Sequence, residues 1–164
     1  MVFPIVGGQI DVPELDVSNS LRFNDGDDPE LNFTPGSAVT AERKTFTVSC
    51  WVKLGILGST RYIWEMGGAD AATTRFICRF DTNDNLNVND SGTAFRITNR
   101  RFRDVGAWMN IVVRVDTTQG TAANRMRIYV NGVEETSFSD SSNANQNTNL
   151  NMNVNSQTFY LGRT

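Results

Sequence analysis

The chain has 164 residues, of which 39% are hydrophobic and 20% are charged, and its net charge is −3. These values are ordinary for one globular domain, and no apolar run approaches the roughly 18 residues that a transmembrane helix needs. The absence of histidine excludes Ser-His-Asp and Cys-His catalysis and histidine-ligated zinc. The opening segment, MVFPIVGGQI, lacks the basic region of a signal peptide, so we expect synthesis in the cytoplasm and no membrane partner.

Strand-like runs bounded by Gly, Asn, Asp and Ser recur along the whole chain, while helical periodicity is nearly absent. We predict strands at 20–23, 30–33, 45–54, 61–67, 75–81, 85–90, 94–98, 107–116, 124–131, 133–138, 149–154 and 157–162. Short strands at such regular spacing are typical of an all-β sandwich or barrel.

Alternation within these strands assigns one side of each to the interior. The apolar sets are Phe46, Val48, Cys50 and Val52; Phe76, Cys78 and Phe80; Met109, Ile111, Val113 and Val115; and Met126, Ile128 and Val130. They predict the inner faces of two packed antiparallel sheets, with Trp51 and Trp108 on the outer sides. In a cytoplasmic protein, Cys50 and Cys78 are expected to be buried thiols rather than a disulfide.

Two Asn-rich segments predict local structure. Asn131-Gly132 joins the strands at 124–131 and 133–138, and both residues suit the positive φ angles of a type I′ hairpin turn. Residues 143–155 place Asn at every odd position, which predicts a loop followed by an extended segment with Leu150, Met152 and Val154 turned to the core.

An acidic segment, NDGDDPE, offers hard oxygen ligands of the kind that calcium prefers. Its candidate metal ligands are Asp25, Asp27 and Asp28, and Asp70 in GGADAATT is a further candidate. The segment does not match an EF-hand loop, and an acidic turn between strands is the competing interpretation. Calcium is therefore the one cofactor that the sequence leaves open.

A basic cluster, RITNRRFRD, contains Arg96, Arg100, Arg101 and Arg103. Thirteen of the fifteen basic residues in the chain are arginine, which is enriched at protein interfaces. The whole chain is acidic, so we expect no nucleic-acid partner. We predict that the four arginines form a protein–protein interface, with a solvated strand edge as the alternative.

Five segments occur in an order that carries a family resemblance: SLRFNDGDDPELNF, KTFTVSCWVKLG, GAWMNIVVRVDTT, RMRIYVNGVEETSF and FYLGRT. Together they resemble the laminin G-like, concanavalin A-like jelly-roll domains over residues 20–163. The resemblance implies a two-sheet antiparallel β-sandwich at 20–164, preceded by an extended arm at 1–19. It also implies that Trp51, Trp108 and the Asn131–Gly132 turn are structural rather than catalytic.

The same resemblance raises carbohydrate binding, because exposed aromatic rings can stack on sugars. The candidates are Tyr62, Trp64 and Tyr129, with Trp51 as a further strand aromatic. Packing in the core or on a sheet surface is the competing interpretation for aromatic residues in strands. β-Sandwich glucanases carry a Glu-x-Asp-x-x-Glu pattern on one strand, which this sequence lacks. We therefore expect no enzymatic activity. Family members also continue past Leu-Gly-Arg into another strand, so we expect a longer natural chain or a second chain covering that edge.

The segments MVFPIVGG and SNSLRFNDGDDPELNFTP resemble the beginning of virion proteins of marine tailed bacteriophages. This implies a structural or adhesive module of a tail fibre, an appendage or a capsid decoration, located in the virion and assembled in the host cytoplasm. The expected partners are other virion proteins and further copies of the chain, as in a trimer. The alternative is a module that recognises host surface glycans, with or without calcium.

Overall fold

The computed structural model describes residues 19–24, 26–27, 29–36, 40–67, 74–91 and 93–162. Within them the chain forms β1 (Leu31–Phe33), β2 (Thr45–Lys53), β3 (Arg61–Met66), β4 (Phe76–Phe80), β5 (Asn85–Asp90), β6 (Thr93–Arg101), β7 (Trp108–Asp116), β8 (Met126–Val130), β9 (Val133–Glu134), β10 (Phe138–Asp140) and β11 (Phe159–Leu161). Two short 3₁₀ helices lie at Thr40–Arg43 and Ala122–Asn124. Of the predicted arm, only Asn19 belongs to the described residues.

The strands form two antiparallel sheets, which confirms the predicted β-sandwich. The larger sheet has seven strands in the order β1-β11-β3-β4-β5-β6-β10, and the smaller has four in the order β2-β7-β8-β9. In the smaller sheet, β2 and β7 pair along nine residues without a register shift, from Thr45 opposite Asp116 to Lys53 opposite Trp108. This long regular pairing gives the outer side of the small sheet a fixed arrangement of side chains.

The interior between the sheets is built from the predicted apolar sets. Met109, Ile111, Val113 and Val115 of β7 are all buried, as are Met126, Ile128 and Val130 of β8. On the edge strand β2 the same side is half-buried, and its alternate residues are exposed. Each fully buried side chain of this kind contributes roughly 1.5–3 kcal/mol to folding, so the interface between the sheets holds the fold together.

The hairpin turn has the backbone that its sequence predicts, with φ of 52° at Asn131 and 78° at Gly132. Its second strand is shorter than the predicted 133–138, because the chain changes sheets there. β9 pairs with β8 in the small sheet, and β10 pairs with β6 in the large sheet.

Two predicted strands are wrong. Residues 20–23 form no strand, although Phe23 packs against the backbone of Gly162. Residues 149–154 bury Leu150 and Met152 as predicted but make no strand pairing. Asn153 has a φ of 54°, which interrupts an extended strand. The backbone N–H of Leu150 instead donates to the carbonyl of Arg43 at 3.1 Å.

Cys78 is buried, Cys50 is half-buried, and both are free thiols. None of the helices among the described residues has the length and apolar character needed to cross a membrane.

Candidate functional site

An open cleft of about 350 Å³ lies where the end of β6 and the start of β7 meet the turn between β8 and β9. Its walls are residues 100–104, residues 107–109 and Asn131. The cleft thus brings three of the four predicted interface arginines together with an exposed tryptophan and the hairpin turn.

The connection from β6 to β7 is anchored on the core side of the cleft. Phe102 is buried, and its ring lies edge-on to Phe80 with 5.4 Å between the centroids. Its backbone N–H donates to the carbonyl of Asp84 at 2.8 Å. Further along, the backbone N–H of Gly106 donates to Oδ1 of Asp104 at 2.8 Å, which closes a tight turn. These contacts fix the segment between Arg101 and Trp108.

Two of the three arginines in the cleft have acidic partners. Nη1 of Arg100 lies 2.7 Å from Oε1 of Glu135, and its guanidinium lies 4.8 Å from the centroid of Phe102. Nε of Arg103 lies 3.2 Å from Oδ2 of Asp84. Arg101 is exposed, and its side chain has no hydrogen-bond or ion-pair partner within the described part of the chain. Asp104 balances the net charge of the cleft but forms no ion pair with Arg101, so among the described residues Arg101 is the one guanidinium of the cleft without an acidic partner.

Trp108 opens the cleft toward the outer side of the small sheet. Its side chain is 49% exposed, and that of Trp51 is 52% exposed. Trp51 pairs with Asn110, and Lys53 pairs with Trp108, so the two tryptophans are diagonal neighbours on one side of β2 and β7. Diagonal residues of an antiparallel pair lie roughly 7–8 Å apart. We call Trp51 and Trp108 the outer aromatic pair.

Asn110 and Asn131 join the hairpin turn to the strand that carries Trp108. The backbone N–H of Asn131 donates to the carbonyl of Asn110 at 2.8 Å, and the backbone N–H of Asn110 donates to Oδ1 of Asn131 at 2.8 Å. Asn131 is exposed and lines the cleft, so its side-chain NH₂ group remains a donor at the cleft wall.

The three aromatic residues predicted to bind sugar do not come together. Trp64 is only 1% exposed, with Phe76 and Phe159 stacked against it at centroid distances of 5.5 and 6.2 Å, so it is a core residue and cannot stack on a sugar. Tyr62 lies on the large sheet and accepts a hydrogen bond from Arg79 at 3.2 Å. Tyr129 lies on the small sheet opposite Val112, two strands away from Trp51.

Arg96 is also placed differently from its prediction, because it is 4% exposed and not available to a partner. Its guanidinium donates to the carbonyls of Phe95, Ser142 and Met126 at 2.6, 2.7 and 3.1 Å, and to Oδ1 of Asn143 at 2.9 Å. Burial lowers the pKa of Arg96. Arg96 thus links β6 of the large sheet to β8 of the small one.

The predicted calcium ligands stay predictions. Asp25, Asp28 and Asp70 lie outside the described residues. Asp27 is exposed and accepts a hydrogen bond from the Asn24 side chain at 2.7 Å. Within the residues that the structure describes, no group of three or more acidic or cysteine side chains could hold a metal ion.

Trp108 and Asn131 were not among the predicted site residues. The sequence feature that could have indicated Trp108 is its position on the outer side of an amphipathic strand, where an indole is not stabilised by burial in the core. Asn131 gave no functional signal, because the turn alone accounts for an Asn-Gly pair.

The laminin G-type family model of the concanavalin A-like lectin/glucanases superfamily matches residues 25–164. No curated protein matches the sequence.

Among solved structures, a native heptameric SAP-like pentraxin from Limulus polyphemus is similar, with a TM-score of 0.52 and 16% identity. The alignment covers 84% of this chain and 59% of the pentraxin chain, so the likeness extends over little more than half of that protein. The CBM40 of the Ruminococcus gnavus IT-sialidase, solved with α2,3-sialyllactose, has a TM-score of 0.49 and 10% identity. That alignment covers 82% of this chain and 77% of the CBM40 chain.

Proposed function

This chain belongs to the concanavalin A-like lectin/glucanase superfamily, and from that premise we propose that it is a non-catalytic carbohydrate-binding domain. The proposed binding site is the cleft between β6, β7 and the hairpin turn, extended by the outer aromatic pair. Among the described residues, the cleft contains one carboxylate, that of Asp104, which is already engaged by the N–H of Gly106. A glycosidase needs a pair of carboxylates flanking the scissile bond, so the site favours binding without hydrolysis.

The exposed indole of Trp108 at the mouth of the cleft carries this proposal. A sugar ring has an apolar face of C–H groups and a rim of hydroxyls. An indole supplies a flat apolar surface with little loss of conformational freedom, while nearby amide and guanidinium groups can bond the hydroxyls. Trp108 lies beside Arg101 and Asn131 in the same cleft, so both kinds of contact are available to one ligand.

The backbone around the cleft is already ordered, which favours binding. The paired hydrogen bonds between Asn110 and Asn131 and the anchored Phe102 hold the two walls in place. A preformed site spends less binding energy on ordering its own residues. Trp51 then offers a second aromatic surface for a ligand longer than one sugar unit.

A glycan array followed by titration calorimetry tests the proposal. The wild-type protein is expected to bind a subset of oligosaccharides, and Trp108→Ala is expected to weaken that binding by at least about tenfold, or roughly 1.4 kcal/mol. The matched control is Tyr62→Ala, which removes an aromatic ring from the other sheet and should leave the affinity unchanged. No reducing ends should accumulate during incubation.

Two results would contradict the proposal. One is an array with no ligand above background. The other is binding that Tyr62→Ala abolishes and Trp108→Ala does not affect, which would place the site on the large sheet.

A second function is favoured by the composition of the same surface. Trp51, Trp108 and Val133 are exposed, and Trp108 shares the cleft with three arginines. Trp and Arg residues that become buried in a complex are typical energetic centres of protein interfaces. The domain would then be a structural module of a phage particle that contacts neighbouring virion proteins and further copies of itself. The location in a virion rests on the resemblance of the N-terminal segments.

Light scattering separates this second function from the first. A contact surface between copies predicts a defined oligomer, such as a trimer, that dissociates in Trp108→Ala and persists in Tyr62→Ala. A monomer at all concentrations that also binds glycans would leave only the carbohydrate-binding function.

A further inference from the structure

We propose that the cleft selects acidic glycans, with the carboxylate of a uronic acid unit bound by Arg101 while the sugar ring lies against Trp108. This inference rests on the proposed carbohydrate-binding function and specifies its ligand class.

The distribution of charge in the cleft supports an anionic ligand. Arg100, Arg101 and Arg103 line it together with one acidic residue, Asp104. Arg100 and Arg103 are neutralised by Glu135 and Asp84. The charge of Arg101 has no such partner in the described residues, although the whole chain is acidic with a net charge of −3. An exposed guanidinium without an ion pair is available to bind an anion.

The chemistry of the free group narrows the class of anion. A guanidinium presents N–H donors in a planar fork that matches both oxygens of a carboxylate, which makes such pairs stronger than neutral hydrogen bonds. Trp108 in the same cleft adds an apolar surface on which a sugar ring can pack. A small carboxylic acid without a ring would not use that surface. The combination therefore fits a sugar that carries a carboxylate.

Arg100 and Arg103 stabilise the wall of the cleft and are not available to bind the ligand. Arg100 is committed to Glu135 and to the ring of Phe102, and Arg103 is committed to the buried Asp84. Asp84 has a second contact, since its Oδ1 accepts the backbone N–H of Gly58 at 2.7 Å. Removing Arg101 alone should thus change ligand choice without disturbing the wall.

Ligands that carry either a free carboxylate or its neutral methyl ester on the same sugar chain test the inference. Uronic acid oligomers, including oligogalacturonate and oligoalginate, are titrated beside their fully methyl-esterified neutral forms. The wild-type protein should bind an acidic oligomer at least about tenfold more tightly than its ester, and Arg101→Gln should remove most of that preference. Added salt should weaken the binding of the acidic oligomer and leave the binding of the ester unchanged.

Arg114→Gln is the matched control variant. Arg114 lies on β7 of the small sheet, outside the cleft, with its Nη2 3.5 Å from Oδ2 of Asp116. Its loss changes the net charge of the protein equally and should preserve the preference. An equal effect of both variants would show general charge attraction and overturn the inference.

The outcomes also separate the inference from the proposed function. Binding of neutral glycans through Trp108 with no preference for acidic forms would overturn the inference and keep the carbohydrate-binding function. A preference for sulfated over carboxylated sugars would overturn the carboxylate assignment. An array without any bound glycan would remove both.

Discussion

Asn131 and Asn110 are joined by two hydrogen bonds of 2.8 Å, one from each backbone N–H, and the second ends on the side chain of Asn131. Asn110 is two residues from Trp108 on the same strand and lies opposite Trp51. The hairpin turn therefore does more than reverse the chain, because it fixes β7, the strand that carries Trp108, and forms a wall of the cleft.

Replacing Asn131 should disturb both stability and binding. Asn131→Ala removes one hydrogen bond and places alanine at a φ of 52°, for an expected loss of about 2 kcal/mol in the free energy of unfolding. Gly132→Ala is the control, since it strains the same turn at a φ of 78° with open space around the added methyl group. Urea denaturation and calorimetry measure the two effects. Equal loss of ligand affinity in both variants would show that the side chain of Asn131 has no role of its own.

Truncation of Trp64 should mainly lower stability, whereas truncation of Trp51 should mainly weaken glycan binding. Trp64→Ala empties a buried site between Phe76 and Phe159 and should cost about 3–5 kcal/mol of stability. Trp51→Ala removes a half-exposed ring and should change stability by less than about 1 kcal/mol while weakening glycan binding.

Trp64→Phe refines the same comparison. The indole Nε1 of Trp64 is buried without a hydrogen-bond partner among the described residues, so removing that N–H relieves an unsatisfied donor. We expect Trp64→Phe to be much less destabilising than Trp64→Ala in thermal denaturation. A loss as large as that of the alanine variant would contradict the packing described here.

Arg96 and Arg101 lie on one strand and should separate structural from binding roles. Arg96→Gln leaves buried carbonyl groups without a donor and should lower the free energy of unfolding by about 3 kcal/mol. Arg101→Gln changes an exposed side chain and should stay within about 0.5 kcal/mol of the wild type. Chemical denaturation of the two variants measures this difference, and similar losses would refute the assignment of Arg96 as the internal link.

Asp116 gives an expected pH dependence. A hydrogen bond from Thr118, with a further one from Gln119, lowers the pKa of Asp116 from 3.8. Its contribution to stability is then present in full above pH 3.8 and is lost as the pH falls through the folded-state pKa. The stability difference between wild type and Asp116→Asn should therefore shrink on acidification. A stability difference that stays constant with pH would contradict the lowered pKa of Asp116.

Asp90 provides the comparison of opposite sign. Burial raises the pKa of Asp90, although hydrogen bonds from Asn151 act against this. Ionisation then reduces stability as the pH rises from 3.8 through the folded-state pKa. Asp90→Asn should gain stability relative to wild type over that rise, as measured by denaturation at a series of pH values.

The two thiols should react slowly in the folded protein. Burial raises the pKa of Cys50 to about 11 and raises that of Cys78 as well. Alkylation by iodoacetamide near neutral pH should be roughly a hundredfold slower in the native state than in urea, because the thiolate is the reactive form. Rapid native-state labelling of Cys50 on β2 or of Cys78 on β4 would show that the interior between the sheets is open.

The inner sides of β2, β7 and β8 could be predicted from sequence because apolar residues occupy every second position of each strand without interruption. β3 could not, since Tyr62, Ile63, Trp64 and Met66 give it apolar character on both sides. The register shift between Tyr62 and Trp64 then turns the two rings to opposite sides of the sheet. Local alternation cannot anticipate such an irregularity, so the sequence does not show that Trp64 is buried while Tyr62 is only half-buried.

The candidate site could not be predicted from local sequence patterns either, because its residues come together only in the tertiary structure. The four arginines are close in sequence, but only the fold reveals that Arg96 meets carbonyls from residues 126 and 142 while Arg101 stays exposed. The cleft joins residues 100–109 to Asn131 through a strand pairing that no short motif encodes. Sequence indicated the sandwich and its turn, whereas the position of the site depended on tertiary structure.

The most direct measurement is an NMR titration of the indole N–H signals. The chain has three tryptophans, and Trp51→Phe and Trp108→Phe variants assign their signals in a ¹⁵N-labelled sample. With an acidic oligosaccharide, the Trp108 signal should shift saturably at the affinity found by calorimetry, while that of buried Trp64 stays in place. Saturable binding that leaves the Trp108 signal unmoved would show that the cleft is not where this domain binds carbohydrate.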